Sequence, residues 1–206
     1  MELREALSQI AEIRLHMART EMFRGYRALP VAFSGLLAFL AAVAQYVWIV
    51  DPMRDIAAYL TLWVGAALLS AIAAGIGMVL RARSGGTALS REITWLAVGQ
   101  FMPCLAAGGV VTAVLAISAS DALWVLPGIW QLLFSLGIFA SYRLLPRATF
   151  GVAVFYLFAG AICLAAARGE SALTPWSMGV PFGVGQLYAA AVLYWTLERG
   201  NVESQE

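Results

Sequence analysis

The chain has 206 residues, of which 62% are hydrophobic and 12% charged, with a formal net charge of +1 and a mean hydropathy of +0.81. A soluble domain normally carries about a quarter charged residues, so these values exclude one and place the chain in a membrane. So small a net charge also argues against a nucleic-acid partner, because phosphate binding needs a concentrated basic face.

The first 24 residues, MELREALSQIAEIRLHMARTEMFR, place Leu3, Leu7, Ile10, Ile13 and Met17 at helical spacing. Glu2, Arg4, Glu5, Glu12, Arg14 and Arg19 occupy most of the remaining surface, and Gly25 is placed to stop the helix. Residues 1–25 therefore read as a cytoplasmic amphipathic helix. Its polar face carries as many acids as bases, which suits two roles. The helix either lies in the interface against membrane lipids, the reading we prefer, or packs through residues 1–24 on a protein partner or a second copy in a homo-oligomer. His16 follows Glu12 by one helical turn, but the pair lacks the further ligands a metal site requires.

Residues 26–199 hold six apolar stretches near 29–50, 56–80, 94–117, 122–141, 149–167 and 173–197. Each is close to or above the roughly 20 helical residues that cross a hydrocarbon core. The separators DPMRD, RARSGGTALSRE, SASD, RLLPRA and ARGES are short and hold the charges and turn residues. The expected fold is an all-α integral membrane protein, with six transmembrane helices in three antiparallel hairpins behind the N-terminal helix. Residues 200–206 form a cytoplasmic tail.

Arginine placement sets the orientation. Eleven of the thirteen arginines fall in the N-terminal segment, the second and fourth separators and the C-terminus; only Arg54 and Arg168 fall on the other side. The positive-inside bias puts both termini in the cytoplasm of a cell whose inner membrane the chain spans. Trp48, Trp63, Trp124 and Trp176 then belong to the outer aromatic belt, and Trp95 and Trp195 to the inner one. Ala42 to Ala44 spells A-x-A, but the mixed-charge segment ahead of it and the apolar run beyond it do not suit a signal peptide.

The stretch YRALPVAFSG, residues 26–35, returns as YRLLPRATFG, residues 142–151, and Leu60-Thr61-x-Trp63 returns as Leu173-Thr174-x-Trp176. Two causes compete. One is an internal repeat of a helical hairpin. The other is interface chemistry: Tyr, Arg and a first-turn Pro suit any helix entering from the cytoplasm, and Trp suits the far side.

No Asp, Glu, Lys, Arg or His lies inside the six stretches. Proton relays and intramembrane acid or base catalysts use such groups, so the chain is expected not to be an enzyme, with no catalytic residue, metal or cofactor. Cys104 and Cys163 read as small packing residues without a Cys/His cluster around them. The chemistry that remains is neutral. Gln45, Gln131 and Gln186 form one candidate polar site with Pro181, Gly183 and Gly185, whose Pro/Gly pattern is expected to break the sixth helix and free its carbonyls. If these amides form a site, their depth lets them face one outward-opening cavity. Gln100 with Pro103 forms a second candidate site nearer the cytoplasm. The role preferred for all four amides is hydrogen bonding between helices, while Gly179-x-x-x-Gly183 allows close packing.

The function expected is that of a non-enzymatic polytopic inner-membrane protein with an assembly, regulatory or partner-subunit role. A passive transporter or channel for a neutral or weakly polar small solute ranks second. A lipid-modifying enzyme ranks third.

Overall fold

A computed structural model describes residues 28–83, 88–167 and 169–198, the side chains of 81–94, 169–170 and 197–198 aside. The N-terminal helix expected over 1–25 and the tail 200–206 lie outside the described residues. Within them the chain is helical and contains no strand. Six α-helices follow one another: α1 Ala28–Trp48, α2 Ile56–Arg83, α3 Ala88–Ser118, α4 Leu126–Ser141, α5 Thr149–Ala166 and α6 Pro175–Leu193. Short 3₁₀ segments, Ser120–Val125, Tyr142–Leu144 and Gly169–Leu173, join the later helices, and a π turn over Tyr194–Glu198 ends α6.

Local chemistry explains the boundaries. Asp51 Oδ1 accepts the N–H groups of Met53 and Arg54, closing the turn begun at Pro52, and the Arg54 guanidinium pairs with Asp51 Oδ2 at 3.1 Å. Asp55 Oδ1 then accepts the Ala58 N–H at the start of α2. Pro127 and Pro175 sit in the first turns of α4 and α6, where a missing N–H costs no helical bond. The helices α2 and α3 run past the apolar stretches that sequence marks, to Arg83 and from Ala88, because nothing in the charged flanks stops a helix.

Among the described residues, five segments are long and apolar enough to cross a membrane: Ala28–Trp48, Ile56–Leu80, Trp95–Ser118, Ser120–Leu144 and Thr149–Ala166. The sixth helix is 19 residues long, with two prolines, three glycines and Gln186 diluting its apolar character. The chain is thus a multi-pass helical protein built for a membrane.

Packing does not follow sequence order alone. The closest pairs are α1 with α6 and α4 with α5; α3 rests on α4, α2 on α1, and α6 touches α5 and α4. The contacts run in opposite senses along each of the two closest pairs. Gly35 meets Gly183 and Leu187 while Ala42 meets Gly179, and Gly128 meets Gly160 and Leu164 while Ser135 meets Ala153. Missing side chains at Gly35, Gly179 and Gly183 are what allow α1 and α6 so close together, since a Cβ on Gly35 would lie 3.0 Å from the Gly183 carbonyl oxygen.

An aromatic group joins α4, α5 and α6. The rings of Phe134, Tyr156 and Phe182 stand with centroids 4.8 to 5.5 Å apart at steep angles, as their quadrupoles favour. Helices α2 and α3 flank this core, and the most apolar part of α3 holds no fully buried residue.

The first, third and fifth connections gather at one end of the bundle, which we call the lid end. There the 3₁₀ segments Ser120–Val125 and Gly169–Leu173 pack on each other. Leu123, Leu126, Ala172 and Leu173 are almost completely covered beneath and between them.

The two sequence echoes occupy different structural positions. Pro30 is the third residue of α1, whereas Pro146 precedes α5 and its carbonyl accepts the Thr149 N–H and hydroxyl. Trp63 lies well inside α2 and is buried, whereas Trp176 is the second residue of α6 and is exposed. The matching residues of the two echoes therefore do not hold equivalent positions. The burial of Trp63 also corrects its placement in an aromatic belt, because its indole N–H has a partner in the core.

Candidate functional site

Gln45 is fully buried near the end of α1 and links three parts of the chain. Its Nε2 donates to the Leu173 carbonyl at 2.7 Å, and its Oε1 accepts the Trp63 indole N–H at 2.7 Å. A helix from the start of the bundle is thereby tied to α2 and to the connection that leads into α6. In an apolar surrounding an amide left without partners is costly, which makes this three-way link a fixed point of the lid end.

Gln131, also fully buried, projects from α4 toward the first turns of α6. Its Nε2 donates to the Ser177 carbonyl at 2.9 Å. That carbonyl belongs to the residue four before Pro181, and proline has no N–H to return to it. The helix therefore crosses Pro181 without breaking, because an amide from another helix supplies the missing donor. Ser177 is held further by its own hydroxyl, 2.8 Å from Thr174 Oγ1 and 3.4 Å from the Ser171 carbonyl.

The expectation of a broken sixth helix is corrected by this arrangement. The helix is continuous from Pro175 to Leu193. Gly183 and Gly185 are not hinge points but contact points, with Gly183 under the Phe39 ring and Gly185 against the Tyr156 ring, close to its hydroxyl. Gln186 is half-buried, and its Cβ would lie 3.2 Å from a Cβ on Gly35. No hydrogen bond joins it to Gln45 or Gln131.

The expected outward-opening cavity shared by Gln45, Gln131 and Gln186 is corrected as well. Gln45 and Gln131 are buried, each bonded to a separate backbone carbonyl, and Gln186 is half-buried further along α6, facing Gly35 of α1. What sequence marks as one polar site is two interhelical clamps and a half-buried amide.

Gln100 and Pro103 behave differently. Both are exposed on α3, as is Gly99, whose carbonyl Pro103 leaves without its helical donor. Helix α3 continues through Pro103 to Ser118. The pair therefore presents an amide and a freed carbonyl on the outer side of a membrane helix.

Other polar side chains serve packing. Ser135 Oγ donates to the Ala153 carbonyl at 2.7 Å, Ser141 Oγ to the Ala97 carbonyl at 3.3 Å, and Trp130 Nε1 to Thr112 Oγ1 at 2.9 Å. Cys104 and Cys163 are free and half-buried. Among the described residues no group of three or more His, Cys, Asp or Glu side chains is placed to hold a metal ion.

Sequence reading missed Tyr59 and Ser177. Tyr59 is completely covered in the apolar cluster of Ala41, Ala42, Trp63, Leu173 and Met178. Its hydroxyl has no hydrogen-bond partner, and neither does Gln131 Oε1. The position four before Pro181 was the available signal for Ser177; nothing in the sequence marks Tyr59.

No protein-family model, curated protein or solved structure matches this chain.

Proposed function

We propose that the chain is a non-enzymatic polytopic protein of the inner membrane, with an assembly, regulatory or partner-subunit role. Its six helices cross as three antiparallel hairpins, both termini face the cytoplasm, and the lid end faces outward. The eleven-to-two distribution of arginines supports this orientation.

One observation carries the partner role. Of the amides embedded in the bundle, Gln100 alone is exposed on a membrane-facing helix, beside the Gly99 carbonyl that Pro103 deprives of a donor. Gln45 and Gln131 show how this protein treats such groups internally: it pairs amides with backbone carbonyls of neighbouring helices. A helix of another subunit, or of a second copy, answers Gln100 in the same way. The amphipathic segment 1–24 supplies a further contact on the cytoplasmic side. Lipids cover the remaining apolar surface of α2 and α3.

The reading is tested by purifying the full chain, the Gln100→Leu variant and a variant lacking residues 1–24 from membranes in a mild detergent. Loss of an oligomer or of a co-purifying subunit in either variant, with the bundle still folded, is expected. Unchanged mass and partners in both would refute the partner role. A second reading as a passive transporter draws no support from α6, which is unbroken.

A further inference from the structure

Helix α3 uses its two faces unequally. One is spent on α4: Ser141 Oγ donates to the Ala97 carbonyl, the Phe101 ring lies against Gly137, and Thr112 Oγ1 accepts the Trp130 indole N–H. The opposite face carries Gly99, Pro103, Ala106, Val110, Ala113 and Ile117, all exposed and alternately four and three residues apart. That alternation is the seven-residue repeat of a seam along which two helices lie side by side. Glycine or alanine at 99, 106 and 113 leaves room for close approach, and no atom outside α3's own backbone comes within 4 Å of a Cβ added at Gly99. Helix α2 touches α3 only marginally and leaves this face open.

Two polar groups at the seam indicate what covers it. The Gly99 carbonyl lacks its helical donor, because Pro103 has no N–H. Gln100, which borders the seam, makes no side-chain hydrogen bond among the described residues. It lies about 8 Å along the axis from Trp95, where the apolar segment begins. Lipid tails offer such groups neither donor nor acceptor.

All copies of one chain insert in the membrane the same way up, so two copies that pair as equals are related by an axis along the membrane normal. Each residue then meets its own counterpart at the same depth. A face that holds a donor and an acceptor on adjacent residues is complementary to itself under that symmetry. A foreign helix would need a matching donor and acceptor at this one depth; a second copy already has both.

We infer that the occupant of this face is a second copy of the chain, in a parallel two-fold dimer along the seam from Gly99 to Ile117. In it each Gln100 amide nitrogen donates to the Gly99 carbonyl of the other copy. The inference rests on the partner role proposed above and names the partner.

Disulfide cross-linking in native membranes tests it, with Cys104 and Cys163 replaced by alanine in the full chain. Ala106→Cys and Ala113→Cys are expected to link two copies on oxidation, and Leu105→Cys, exposed but off the seam, is not. Gln100→Leu and Pro103→Ala are each expected to weaken the dimer about tenfold or more, read from the mass of the purified chain over a dilution series in mild detergent. Pro103→Ala acts by returning an N–H to the Gly99 carbonyl within α3, so it separates the hydrogen bond from any loss of folding. A single-chain mass at every concentration overturns the inference, as do seam cysteines that link no better than Leu105→Cys. If Gln100→Leu instead releases a different subunit and the seam cysteines stay unlinked, the inference falls and the partner role stands. If Gln100→Leu changes nothing the inference also falls, and the partner role falls with it only when deletion of residues 1–24 is equally silent.

Discussion

Gln131 of α4 donates its side-chain N–H to the carbonyl of Ser177 in α6, the carbonyl that Pro181 leaves without its own helical donor. The proline and the glutamine act as a pair although they lie on different helices and 50 residues apart. One removes a hydrogen bond from α6, and the other restores it from outside.

Gln131→Leu is expected to destabilise the protein by about 1–2 kcal/mol, since it strands a partly buried carbonyl as well as losing the amide bond. Pro181→Ala returns an N–H to that carbonyl, so Gln131→Leu should cost less in the Pro181→Ala background. Unfolding midpoints of the two single variants and the double variant measure the coupling. Additive effects would show that Gln131 and Pro181 are not linked through Ser177.

Gln45 holds two partners at once. Gln45→Leu frees both the Leu173 carbonyl and the Trp63 indole N–H, whereas Trp63→Phe frees only Gln45 Oε1. Beyond the lost packing of the indole, the glutamine change is expected to loosen the connection into α6 and the tryptophan change is not. Hydrogen exchange over residues 169–177 reports this difference: faster exchange in Gln45→Leu, and little change in Trp63→Phe.

The glycines divide into two groups with opposite expected outcomes. A side chain at Gly179 would collide with Ala42 on α1, where backbone holds both partners in place. Gly179→Val is expected to cost about 1–3 kcal/mol or to prevent assembly. Gly65 and Gly109 have no neighbour within 4 Å of an added Cβ. Alanine at either should be tolerated and could stabilise its helix by about 0.5–1 kcal/mol. Expression yield and thermal midpoint in detergent distinguish the two groups.

Orientation is open to cysteine labelling in intact cells. With Cys104 and Cys163 replaced by alanine, a cysteine at exposed Asp55 is expected to react with an impermeant maleimide, and one at exposed Arg147 is not. The reverse pattern would invert the topology.

The helices were legible because each apolar stretch is bounded by charge or turn residues; α1 and α5 begin and end within two residues of the boundaries read from sequence. Which helices embrace was less legible. The small residues at 35, 38, 42, 179 and 183 are visible in the sequence, but nothing in their local order says that the first helix receives the last. The amides stood out as polar residues in apolar runs, yet their partners are the backbone carbonyls of Leu173 and Ser177, and a carbonyl carries no residue signature. Pro181 was misread for the same reason: its missing N–H predicts a break unless a donor arrives from elsewhere, and that donor is far away in sequence. Tyr59 was invisible, because a tyrosine near the end of a span normally serves the interface.

The embrace of α1 by α6 bears on how the protein is made. The final helix is diluted by prolines, glycines and Gln186 and finds its principal surface on the first. A chain made from its N-terminus has α1 before it has α6, the helix on which α1 chiefly packs. Their contact joins the two ends of the described helical region, and a chain stopped before residue 175 would lack the surface on which its first helix comes to rest.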